Sequence, residues 1–198
     1  MDNSNIETYA SNFAYLILNN VDSIPESKEK ISSSLQNINE NDLLVLTTEF
    51  LFYELHVCDR FFFLWYGAET RGKMMDMIVK KVASVLDENR EHMLDKEMKS
   101  PMAYLYMAST LPDFEAIIEG YNKRQREYSE YSFWPQENQQ HFAGELYWEF
   151  AKKLALLINK EEDVFLKIGI SAYAMGVYEM ADKFKDELDE HFKHQLKT

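Results

Sequence analysis

Apolar residues recur every three or four positions through nearly all of this chain, and no stretch alternates with the period of two that a strand requires. The pattern predicts helices throughout. Ile6, Tyr9, Ala10, Phe13 and Ile17 make one apolar face, so a first helix is expected over 5–20. Ser23, Pro25 and Glu26 form a capping-box pattern with an early proline, which predicts a weaker second helix ending near 37. Residues 41–67 are apolar almost all round, the mark of a helix buried at the centre of a bundle, and Gly67 is placed to end it. The next helix, over 69–92, points Met74, Ile78, Val82 and Val85 inward and Lys73, Lys80 and Glu88 outward.

Ser100 and Pro101 start another segment, and Thr110, with Asp113 three residues on, looks like a further start. Residues 100–126 therefore read as one kinked helix or two short ones. The longest expected loop is 128–140. A strong helix follows over 141–158, and 159–162 is read as the cap of the last helix. That last helix carries Gly169, Ala172 and Gly176 at spacings of three and four. Glycine inside a helix needs a packing reason, so this smooth face is expected against the central helix. The polar end, 190–198, is expected to fray. The fold class is all-α, a single-domain bundle over 1–198 of about six to seven helices around 41–67.

At 198 residues the chain can bury about 70% of its unfolded surface, so it needs neither disulfide nor metal to fold. Cys58 is the only cysteine, which excludes an intramolecular disulfide and a cysteine-cluster metal site. The start lacks a basic and an apolar region, so no signal peptide is expected, and charges interrupt 43–66, so no membrane span is expected there. A cytoplasmic protein is expected. Formal net charge is −13, and the basic runs Lys123–Arg126, Lys80–Lys81 and Lys152–Lys153 are short and flanked by acids. Solvated helix faces explain them, nucleic acid is not expected as a partner, and a basic partner protein fits the acidity better.

The candidate chemistry lies in the middle of 41–67. At 100° per residue His56 and Arg60 fall about 20° either side of Glu49, Tyr53 about 40° away and Asp59 about 80°. Glu54 sits about 140° away on an apolar wall, where desolvation raises a carboxyl pKa. Three readings follow. Glu49, His56 and Arg60 form a structural network, with Arg60 bridging to Glu49, His56 or an acid on another helix. Alternatively, Glu54, His56 and Asp59 join Glu145 and His141 around a metal ion. The Glu-x-x-His motifs of bundle di-metal sites are absent, although His141 and Glu145 have helical ligand spacing. In the third reading the seam lines a small-molecule pocket walled by methionine and aromatic rings.

Glu145 and Glu149 read as an i, i+4 pair, with Lys152 and Lys153 completing a surface ladder. Tyr128, Tyr131, Phe133 and Trp134 make the 128–140 loop aromatic. These rings either lid the bundle or form a contact surface, since tyrosine and tryptophan anchor interfaces. The methionines Met74, Met75, Met77, Met102 and Met107 either fill gaps or supply an adaptable surface. No phosphate-binding loop, dinucleotide fingerprint or serine-elbow motif occurs. The function expected is a non-enzymatic, cytoplasmic interaction or regulatory protein that binds a partner protein through aromatic and Met-rich surface, and a homodimer is compatible with it. No cofactor is expected. The alternatives are a metal-dependent bundle enzyme and a small-molecule sensor.

Overall fold

The computed structural model describes residues 3–95, 113–133 and 144–195. The order is α1 (Asn3–Asp22), α2 (Ile24–Ile31), a 3-10 turn (Ser33–Leu35), α3 (Glu40–Asp95), α4 (Phe114–Tyr128), α5 (Leu146–Leu157) and α6 (Val164–Gln195). Among the described residues there is no strand, only a one-residue parallel bridge between Ser132 and Glu145. The protein is an all-α bundle, as the periodicity predicts.

α3 consists of two limbs joined at Gly67, whose φ of 75° and ψ of 176° lie outside the helical region. Only glycine adopts that combination without strain. Arg71 then reaches back to fork Asp59 at 2.6 and 2.7 Å. Twelve residues of unbroken helix would hold the two about 18 Å apart, so the chain must turn sharply at Gly67. α1 runs antiparallel to the first limb, since Phe13 meets the Phe62 ring at 4.8 Å, Tyr9 meets Tyr66 at 6.4 Å and Asn20 bonds Glu54. The second limb also touches α1, with the Lys81 ammonium 5.5 Å from the Tyr15 ring centre. α4 packs antiparallel on the first limb. α5 and α6 form a tight hairpin whose Phe150 stacks on Tyr53 at 4.3 Å. Phe13, Phe50, Tyr53, Phe62, Tyr128 and Phe150 are sealed from solvent at the centre.

Several helix ends differ from the sequence reading. Ser23 does not cap α2, because its hydroxyl donates to the Asn20 carbonyl at 2.7 Å. Asp113 is the cap of α4, accepting from the Ala116 N–H at 2.8 Å, while Thr110 and Ser100 lie outside the described residues. α5 starts at Leu146, after a left-handed Gly144 and an extended Glu145. Asn159 closes α5 and does not open α6. It takes φ of 55°, its N–H bonds Leu156 O and the Lys160 N–H bonds Ala155 O, the two bonds of a Schellman closure. Asp163 caps α6 through the Leu166 N–H at 2.9 Å.

The small-residue face of α6 also lies elsewhere than expected. A Cβ on Gly169 would collide with the Ile31 carbonyl, so Gly169 admits the end of α2, and Gly176 faces open space. α6 meets the interior through Leu166, Ile170, Ala174, Val177 and Ala181.

Gly67→Ala isolates the turn, because a Cβ there would touch nothing and only the backbone is penalised. The expected loss is about 1–3 kcal/mol in urea unfolding. An unchanged midpoint would show that the turn is not under conformational constraint.

Candidate functional site

Most of the polar seam faces α4, which supplies a partner at each level. Arg124 forks Glu49 through Nε, at 3.1 and 2.8 Å, and through Nη2. The Tyr128 hydroxyl donates to Glu49 at 3.2 Å, and Lys153 of α5 approaches it at 3.1 Å. Burial alone would raise the Glu49 pKa, but Arg124 and Lys153 outweigh it and hold the carboxyl below its usual range. Two turns on, His56 Nδ1 lies 2.8 Å from Gln125 Oε1. The amide oxygen can only accept, so Nδ1 carries the proton and Nε2 is a bare acceptor, buried without a partner. Asp59, at the end of the row, takes the Arg71 fork and lies 3.4 Å from the Tyr121 hydroxyl.

Glu54 and Tyr53 turn elsewhere. The Glu54 carboxyl is fully buried against α1, accepting from Asn20 Nδ2 at 2.6 Å through Oε1, while Oε2 has no partner. Burial pushes its pKa well above the usual carboxylate range, against the opposing pull of Asn20. Tyr53 donates to the Ala174 carbonyl of α6 at 3.2 Å. Arg60 is not the bridge that the sequence reading expects. None of the ion pairs among the described residues uses it, and its Nε is buried without a hydrogen-bond partner. The guanidinium groups that neutralise the seam are Arg124 and Arg71, one from the facing helix and one from beyond the turn.

The residues of the metal reading go to separate partners: Glu54 to α1, His56 to α4, Asp59 to Arg71. Glu145 sits before α5 and acts on Tyr178, and it shares no helix face with Glu149. No group of three His, Cys, Asp or Glu able to hold a metal occurs among the described residues, and His141 lies outside them. Of the expected ladder, Lys152 pairs with Glu149 at 2.7 Å, whereas Lys153 turns inward to Glu49 and Glu127. Burial pushes the Cys58 thiol up, which removes it as a nucleophile. A surface recess of about 560 Å³ lies along α4 between Glu119, Lys123 and Glu130, and no seam residue lines it.

Of the aromatic loop, Tyr128 is the last residue of α4 and is sealed inside, so it presents nothing to a partner. Tyr131 is half-buried, and Phe133 packs inward on Phe61 at 5.3 Å and Tyr178 at 4.9 Å. Trp134 lies outside the described residues. Met74 and Met75 fill the core, Met77 packs against it, and Met102 and Met107 are outside the described residues.

Sequence reasoning missed Tyr121, Arg124 and Gln125. The signal was present: Ile117, Tyr121, Arg124 and Tyr128 recur at spacings of four, three and four, which makes one inward face of α4. Arg124 had been grouped by charge with its exposed neighbours and not by its position on the helix.

Two pH dependences of opposite sign follow. Burial lowers the His56 pKa to about 4, with Gln125 opposing and Arg60 assisting. The unfolded chain therefore binds the proton first, and stability present above pH 6.5 falls as pH drops toward 4, by roughly 3 kcal/mol. His56→Gln should shrink the difference in unfolding free energy between neutral and mildly acid solution, and an undiminished difference would reassign it to the carboxylates. Glu54 has a raised pKa, so its contribution is complete below the unfolded value of 4.5 and is lost as pH rises. Glu54→Gln should stabilise the protein at pH 7 on the scale of the about 1–3 kcal/mol that an unmatched buried polar group costs, and should lose that advantage below pH 4.5. Destabilisation at pH 7 would mean that Glu54 is held as a charged, matched carboxylate.

Comparison with known protein families, with curated proteins and with solved structures finds no match to this chain.

Proposed function

We propose that this chain is a non-enzymatic interaction protein that binds a partner protein through the outer face of α6. The first four turns of that helix are apolar on both sides. Leu166, Ile170, Ala174 and Val177 occupy the core side. On the opposite side Phe165 is 81% exposed, Val164 53%, Ile168 52% and Met175 45%. A helix apolar all round is normally covered all round. The preceding helix adds Leu156 at 60% and Leu157 at 42%. The aromatic and Met-rich contact surface expected of the chain is thus better supported on this hairpin than on the 128–140 loop, whose described rings turn inward.

The seam supports a structural role in the same scheme. His56 and Glu54 are 1% and 0% exposed, and burial disfavours the charged form of each. A general acid or base needs access to the proton it moves. The seam's carboxylates Glu49 and Asp59 are instead engaged with Arg124, Lys153 and Arg71.

Val164–Glu187 is also long and apolar enough, by length and composition, to cross a membrane. A span must turn every face to lipid or to other spans, whereas a third of this window is buried against the rest of the chain. Its flanks are acidic, with Glu161, Glu162 and Asp163 before it and Asp189 and Glu190 after it, the wrong sign for an anionic bilayer surface. A protein partner fits both observations.

The test is capture from the chain's own cell extract by immobilised wild type and by a Phe165→Glu, Ile168→Glu double variant with matching circular dichroism and melting. A partner retained at least tenfold better by wild type is expected. Equal retention by both would remove the reading.

A further inference from the structure

We infer that the partner on this face is a second copy of the chain, with α6 crossing its own copy antiparallel at Ala172. The inference rests on the interaction reading and names the partner. Its first support is area. Six large apolar side chains, each 42–81% exposed, offer about 600 Å², at roughly 100 Å² for each half-exposed chain. That reaches the top of the range for the largest patch on a monomer. With the exposed Ala172, Gly176 and Glu179 on the same side of α6, it approaches the roughly 800 Å² per partner of a standard stable interface.

The second support is shape. Along the exposed stripe most of the bulk lies at the start, in Val164, Phe165 and Ile168, and the small Ala172 and Gly176 follow with Met175 beside them. A two-fold axis through Ala172 brings Ile168 of one copy level with Gly176 of the other, four positions on either side, and repeats the contact in reverse. Large meets small twice, which is what an isologous interface requires of a single patch. A parallel crossing would set Phe165 against Phe165 and glycine against glycine.

Gly176 is the independent sign. Glycine inside a helix is less stable than alanine there, so it needs a contact to explain it. Gly169 has one, the Ile31 carbonyl. Among the described residues nothing beyond its own helix lies within 4 Å of a Cβ placed on Gly176, and a second copy supplies the close approach that would explain it. Charge fits the same crossing. Lys183, with its side chain 80% exposed, comes level with Glu161 of the other copy, eleven positions on either side of Ala172.

Sedimentation equilibrium of the untagged full chain over roughly 1–100 µM tests the stoichiometry. The mass is expected to rise from 23.4 kDa to twice that value, and Phe165→Glu, folded by circular dichroism, is expected to stay at 23.4 kDa. Ala172→Cys tests the crossing. Under a mild oxidant it should give a disulfide-linked dimer, because residues on the axis lie within disulfide reach, and Cys58 is buried and contributes no background. Glu187→Cys, fifteen positions from the axis, should not cross-link. Wild type at 23.4 kDa throughout would overturn the inference, as would cross-linking at 187 and not at 172. If the monomeric protein still loses a captured protein on Phe165→Glu, the interaction reading survives with a different partner. If the monomer instead sediments with phosphatidylcholine vesicles and Phe165→Glu does not, the face belongs to a bilayer and the inference is overturned as well.

Discussion

A carboxylate taken out of water must be matched or neutralised, and the first limb of α3 buries three of them. Each is handled differently, and the handling fixes the neighbours. Glu49 is matched by Arg124 and Lys153, which ties α4 and α5 to the same point on α3. Asp59 is matched by Arg71, which folds the second limb back toward the first. Glu54 is left against Asn20 of α1, and burial pushes its pKa well above the usual carboxylate range. The placing of α1, α4, α5 and the second limb of α3 around its first limb can therefore be read from where these charges find relief. Apolar burial supplies the drive to pack, but it does not choose partners in this way.

The helical wheel made the seam legible in outline. It separated Glu54 from the row Glu49, His56 and Asp59, and those three do share the α4 side while Glu54 faces α1. It could not name the partners, because a wheel carries no information beyond its own helix. Arg60 lies on the stripe and was expected to bridge it, yet the cations came from 64 positions later in sequence, at Arg124, and from across a turn, at Arg71. The helix ends show the same limit. Gly67 was recognised as a terminator because its residue type nearly dictates the backbone there. Asn159 was misread because asparagine suits both a cap and a left-handed closure, and only the bonds to Ala155 and Leu156 decide between them. Tyr128 was placed in a loop because its aromatic neighbours suggested a continuous cluster, whereas its hydroxyl belongs to Glu49.

The molecule departs from the simple rule of apolar inside and polar outside in two opposite senses. α3 carries ionisable groups into the core, and α6 carries Phe165 and Ile168 out of it. The first departure is explained within the chain, because nearly every charge of the seam has its counterpart. The second has no such internal account among the described residues. His56 and Glu54 also pull the stability profile in opposite directions with pH, one penalising acid and the other penalising alkali. Both effects come from buried groups at the centre of the fold whose charged forms are disfavoured.

The turn at Gly67 has a consequence for size. Fifty-six residues of uninterrupted helix would extend about 84 Å, roughly twice the diameter of a compact chain of 198 residues. Without the turn the molecule would be a rod with helices hung along it, and its aromatic side chains would be strung out in a line. One positive φ converts that rod into two limbs short enough to share a single interior, so the thickness of the whole protein is set at one residue without a side chain.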